Sequence, residues 1–215
     1  MSSWWNHWRL AAGLIGLSLI PAIAGTGRVI QILSHVPITA ENARFMSAPV
    51  PGVLHIFAVT IYCILGALQF VPYFRSRHIR WHRFAGRLLV LCGLTASLSG
   101  LWMTQFYEWP EYDGFGLYVV RLIVGTAMTV SLILGFSAIR RGDKINHRKW
   151  MMRGYALGLG AGTQVFTHIP WIVLSQYHNE TFRLVSMTAG WCINVLVIEW
   201  LLYRQSRVRE KIISV

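Results

Sequence analysis

At 215 residues the chain is 54% hydrophobic and only 13% charged, where soluble domains carry roughly 25% charged residues. Once the apolar segments are set aside, no room is left for a sizeable soluble domain. The formal net charge of +12 would point to nucleic acid in a soluble protein, but the basic residues sit mostly in short loops between apolar runs. Membrane topology explains them first, and nucleic acid is excluded as a partner.

Six apolar segments follow in chain order, at about 10–26, 53–74, 84–103, 117–139, 155–174 and 184–203. Most reach the ~20 residues that a helix needs to cross ~30 Å of hydrocarbon. A membrane barrel would show short alternating segments instead of continuous apolar runs. The prediction is an all-α integral membrane protein with six transmembrane helices. It forms one domain over residues 1–215, with a core at about 51–175 and flanking helices at 10–26 and 184–203.

The first segment is the shortest, and Ala22-Ile23-Ala24 has the form of a signal-peptidase site. Its flank holds one arginine and three tryptophans, a poor signal region, so an uncleaved first helix is expected. The second segment carries His55 just after Pro49 and Pro51, and Ile64-Leu65-Gly66 near its end. A basic loop then runs into the third segment through Trp81-His82-Arg83-Phe84-Ala85-Gly86-Arg87. The fourth segment holds Arg121 and ends after Ile133-Leu134-Gly135, and a second basic loop enters the fifth through Asn146-His147-Arg148-Lys149-Trp150-Met151-Met152-Arg153. These matching phrases predict a duplicated helix–basic loop–helix unit. His168 precedes Pro170 at the far end of the fifth segment, and Glu199 lies late in the sixth.

Sixteen of the twenty basic residues fall on one side of such a bundle: Arg9, five arginines at 75–87, six Lys/Arg at 140–153 and four in the tail. The opposite loops hold Arg28, Arg44 and Arg183, together with Glu41, Glu108, Glu111, Asp113 and Glu180. The positive-inside rule then places both termini in the cytoplasm. Outer-loop aromatics such as Phe106, Trp109 and Tyr112 fit an interfacial belt. His7, His35, His78 and His178 read as solvated or interfacial.

Gly154, Gly158 and Gly162 repeat every four residues, and Gly86, Gly93 and Gly100 every seven. Each series makes a small-residue stripe for close helix approach, the general device of membrane helix interfaces. Room for a flat prosthetic group is the sharper alternative. Cys63, Cys92 and Cys192 lie inside apolar segments without the close pairing of a metal knuckle or redox pair. They read as small buried hydrophobes.

Ionisable groups at membrane depth are costly and count as functional candidates. His55 and His168 reach similar outward depth on antiparallel helices, as bis-imidazole ligation of a haem b iron requires. Arg121 would neutralise a propionate on that side. The alternative is a hydrogen-bonded polar cluster with Arg121 facing an aqueous crevice. Glu199 is expected to snorkel toward Arg204 or the tail. His82 and His147 form a second, weaker haem pair at the cytoplasmic boundary. His147 lies twenty-one residues before His168, about 31 Å of helix at 1.5 Å per residue, which is wide for two stacked haems.

The stretch 54–174 resembles the domain-of-unknown-function family 2306 of bacterial multispanning proteins. The resemblance rests on His55, Gly66-Ala67-Leu68-Gln69-Phe70, His82-Arg83 with Gly86-Arg87, and His147-Arg148 with Trp150-Met151 and Arg153. It implies the membrane fold and carries no activity. The histidine layout is also loosely similar to transmembrane b-type cytochromes, although the fourth segment has no histidine. Two functions compete: a haem b electron carrier working with a quinone or redox partner, and a cofactor-free transporter or accessory subunit. No nucleotide fingerprint, zinc-protease helix or catalytic triad order is present.

Overall fold

A computed structural model describes residues 2–174 and 178–213 of the chain. The side chains of His7, Arg209 and Lys211 lie outside that description. Among the described residues the regular structure is helical throughout, with no strand. Five helices are long and apolar enough to cross a membrane: Trp8–Leu33 within α1 (Ser2–Leu33), α3 (Pro49–Gln69), α5 (Ile79–Phe106), α6 (Phe115–Arg140) and Glu180–Arg207 within α10 (Glu180–Ile213). The short helices α2 (Ala43–Ser47) and α4 (Pro72–Arg77) sit in the connections.

Two of the expected segments need correcting. Hydropathy carries the second through residue 74, but α3 ends at Gln69 and Pro72 opens α4. Proline lacks the N–H that a continuing helix would use, while it is well suited to a first turn. The fifth, drawn as one run over 155–174, is divided into α7 (Lys144–Gly158), α8 (Gly160–Thr167) and α9 (Ile169–Val173). The first break is at Leu159, between Gly158 and Gly160, where Gly162 N–H tightens onto the Leu159 carbonyl at 3.0 Å. Glycine is a weak helix former, so two of them beside one residue lower the cost of interruption. The second break is at His168, two residues before Pro170 of α9, which has no N–H to donate.

The helices pack largely as neighbours in sequence. α3 lies against α5, α5 against α6 and α6 against α7, while α1 leans on α3 and α8, and α10 covers α7 and α8. Outward faces are apolar: Leu91 and Ile123 are each 63% exposed and Leu196 68%. Such faces belong in lipid rather than water.

The small-residue stripes are filled by protein side chains. A Cβ on Gly158 would stand 2.8 Å from the Tyr62 ring, and one on Gly93 also 2.8 Å from that ring. Tyr62 thus lies in a groove between α5 and α7, with Leu132 and Met128 of α6 beside it. Tyr155 seats on Gly66 in the same way and donates its hydroxyl to the Cys63 carbonyl at 2.7 Å. Gly162 meets the backbone of α1 at Leu17, and Gly100 meets the His55 imidazole. Gly86 has nothing within 4 Å of an added Cβ.

Candidate functional site

At the end of the bundle that carries the basic loops, the turn from α6 to α7 is made by Gly142 at φ +79°, a left-handed conformation that suits glycine. Asp143 then caps α7, accepting from Asn146 N at 3.0 Å and Asn146 Nδ2 at 2.6 Å. These hydrogen bonds to the ionised form hold its carboxyl below the usual aspartate range. The cap sets the first turn, and His147 within that turn reaches back to the Gly135 carbonyl with Nδ1 at 2.8 Å. A carbonyl only accepts, so the proton sits on Nδ1 and the lone pair on Nε2. His82, in the first turn of α5, has a buried Nδ1 with no hydrogen-bond partner. Its ring lies within electrostatic reach of His147, Arg75 and Arg83. The structure therefore brings His82 and His147 to one neighbourhood.

His55 and His168 take different partners. His55 Nδ1 donates to the Ala96 carbonyl of α5 at 2.8 Å, with Ser99 Oγ at 3.3 Å. His168 Nδ1 donates to Gln164 O one turn back in its own chain at 3.0 Å. That segment is pinned on α10, since Gln164 Nε2 donates to Met187 O at 2.9 Å and Thr167 Oγ1 to Ser186 O at 2.7 Å.

Arg121 donates to Asp113 Oδ2 at 2.5 Å, and Arg183 Nε takes the other oxygen. The Asp113 side chain is 2% exposed. It is turned inward by the loop before α6, where Tyr112 adopts φ +63° and Asp113 N donates to Pro110 O at 2.9 Å. Nearby, the guanidiniums of Arg28 and Arg44 both stack 4.9 Å from the Phe45 ring centre. Burial pulls the Arg44 guanidinium below its ordinary value, Asp113 opposes that, and Arg121, Arg28 and Arg183 reinforce it.

Glu199 departs from expectation. It accepts a two-pronged ion pair from Arg153 of α7, at 2.6 and 2.8 Å. Arg204 instead stacks on Trp200 at 4.8 Å. The depth-matched partner on a packed neighbour, α10 on α7, wins over the cation five residues along. The Asp113 cluster was also missed. Its visible signal was an acid eight residues before an arginine inside an apolar helix, a charge that needs a partner at its own depth.

Among the described residues no three His, Cys, Asp or Glu side chains gather as a metal-ion site would require. Cys63, Cys92 and Cys192 are free thiols. Comparison with known families places the fold. The model of a family described as a predicted membrane protein, domain of unknown function 2306, matches residues 52–202. The chain belongs to this family. No curated protein and no solved structure matches it. The matched region runs from the start of α3 into α10, so it spans both histidine pairs, Asp113 with Arg121 and Arg183, and the Arg153–Glu199 pair, while Arg28 and Arg44 precede it.

Proposed function

We propose that the chain is an inner-membrane electron-transfer protein that holds one haem b at its basic end, between His82 and His147. The meeting of His82 with His147 carries this reading, and the buried, unpartnered Nδ1 of His82 is left to donate to a propionate. An imidazole whose Nδ1 is tied to a backbone carbonyl, as at His147, is oriented for ligation through Nε2. The chemistry supplied by a bound haem is one-electron transfer, with a quinone or a second redox protein as partner. Arg75 and Arg83, both within reach of His82, would pair with the propionates. The basic pair is preferred to His55 and His168 because His82 interacts with His147, whereas His168 interacts with Arg183 and His55 turns to α5.

The test is the visible spectrum of the purified full chain from haem-replete cells. A low-spin Soret band that disappears in His82→Ala and His147→Ala, and survives in His55→Ala, is the expected result. Loss in His55→Ala and His168→Ala alone would move the group to the opposite end. No Soret band at all would end the haem reading. The cofactor-free reading, a small transporter or accessory subunit, would then stand. It draws its support from the tyrosine-filled grooves at Gly93, Gly158 and Gly66, where protein side chains occupy the small-residue faces.

In this reading the chain is one transmembrane domain with a core at about 51–175 and six crossings, α7 to α9 together making the fifth. The two basic loops lie at matched ends of a repeated helix pair, and both termini are cytoplasmic. The sixteen basic residues on one side support that orientation. Reporter fusions at residues 78, 143 and 210 are expected in the cytoplasm, and fusions at 41 and 111 outside. An exterior signal at 143 would invert the bundle and place the proposed haem on the wrong face for a cytoplasmic donor.

A further inference from the structure

The end of the bundle opposite the basic loops gathers four guanidiniums around one interior carboxylate. Asp113 gives one oxygen to Arg121 and the other to Arg183, so both of its oxygens are engaged. Arg44 feels the charges of Asp113, Arg121, Arg28 and Arg183, yet its Nε is buried without a hydrogen-bond partner. Arg28 and Arg44 share the Phe45 ring at 4.9 Å each, so their guanidinium carbons are no further apart than twice that distance. Phe45 is itself held edge-on by Tyr107 at 5.4 Å, whose hydroxyl donates to Ala48 O at 2.6 Å. The platform beneath the two cations is therefore built.

Like charges held this close repel, and a buried guanidinium donor left unpaired is costly. Arg28 relieves part of its own demand through Gln31 Oε1 at 2.8 Å. Arg44 has no equivalent for Nε. An anion placed against Arg44 satisfies that donor and screens the repulsion together. The Glu180 carboxylate stands against Gly114, next to Asp113, so four guanidiniums against two carboxylates still leave two positive charges in excess. A phosphate group carries up to two charges and several acceptor oxygens, and the guanidinium fork matches it in two-pronged geometry.

We propose that Arg44 and Arg28, backed by the Asp113-bound Arg121 and Arg183, form a binding site for a phosphate-class oxyanion. The short helix α2 that carries Arg44 joins two membrane-length helices, and Ile38 and Val50 flank it at 72% and 64% exposure. That setting admits two sources of the same chemistry, a free phosphate from the aqueous side and the headgroup of an anionic phospholipid. The site is independent of the haem reading, since it uses neither histidine pair.

Thermal unfolding of the full-length protein tests it in two arms. In a neutral detergent, inorganic phosphate is titrated against chloride at constant ionic strength. In nanodiscs, phosphatidylcholine alone is compared with phosphatidylcholine containing phosphatidylglycerol. A Tm rise of several degrees with phosphate assigns a free oxyanion, and a rise only with phosphatidylglycerol assigns a lipid headgroup. In either case the rise is expected to shrink at least threefold in Arg44→Gln. Arg28→Gln gives the same readout from a half-buried position should the Arg44 variant fail to fold, and a reduced rise there supports the site. No rise in either arm, or equal rises in the wild type and in every folded variant, would overturn the proposal.

Discussion

Replacing Asp113 with alanine is expected to destabilise the protein by about 3–5 kcal/mol, the usual loss when one member of a buried charge cluster is removed. The carboxylate is 2% exposed, while Arg121 and Arg183 are 25% and 21% exposed. Without it, two partly buried guanidiniums face each other and the Arg44 cluster loses the carboxylate that both of them clasp. Arg121→Met should cost less, because Arg183 still pairs with the carboxylate. Unfolding in mixed micelles measures both differences. A loss below about 1 kcal/mol for Asp113→Ala would show that water already solvates both arginines, as at an exposed pair.

Gly162→Leu is expected to be the next most damaging change. An added Cβ would stand 2.5 Å from the Leu17 carbonyl oxygen and 3.1 Å from its carbon. Those are backbone atoms, which cannot rotate away as a side chain can. The substitution must push α1 off α8, and overpacking of this kind costs typically 1–3 kcal/mol, occasionally more. Gly86→Leu provides the contrast, since nothing lies within 4 Å of its Cβ position, and a change of no more than about 0.5 kcal/mol is expected. Equal melting temperatures for the two variants would show that the α1–α8 contact is not made in the membrane.

The helices themselves were legible because long apolar runs have few other outcomes, and the proline and glycine positions that divide them are local signals. Pro72 and the glycines around Leu159 were visible in the sequence, but hydropathy averaging ran across them. The glycine stripes were legible as contact faces. What enters them was not, because Tyr62 reaches Gly93 and Gly158 from a third helix. Ion pairs were the least legible feature. Arg153 and Glu199 are 46 residues apart, and Asp113 and Arg183 are 70 apart. Nothing in either local pattern names the partner; only helix packing at equal depth does. The histidines show the same limit. Their depth could be judged from position in each segment, but direction depends on backbone carbonyls such as Ala96 and Gly135, which sequence patterns do not mark.

The seat of α1 on Gly162 has a consequence for biogenesis. α3, α5, α6 and α7 each rest on a helix made just before or just after them, so these pairs can form as the chain emerges. Leu17 is synthesised 145 residues before Gly162, the residue its backbone meets. α1 must therefore wait in the bilayer with one flank uncovered while the helices between it and α8 are made. Arg183, which closes the second half of the Asp113 clasp, arrives later still. Closure of this bundle thus waits on the segments that carry Gly162 and Arg183, and not on the helix pairs made next to one another.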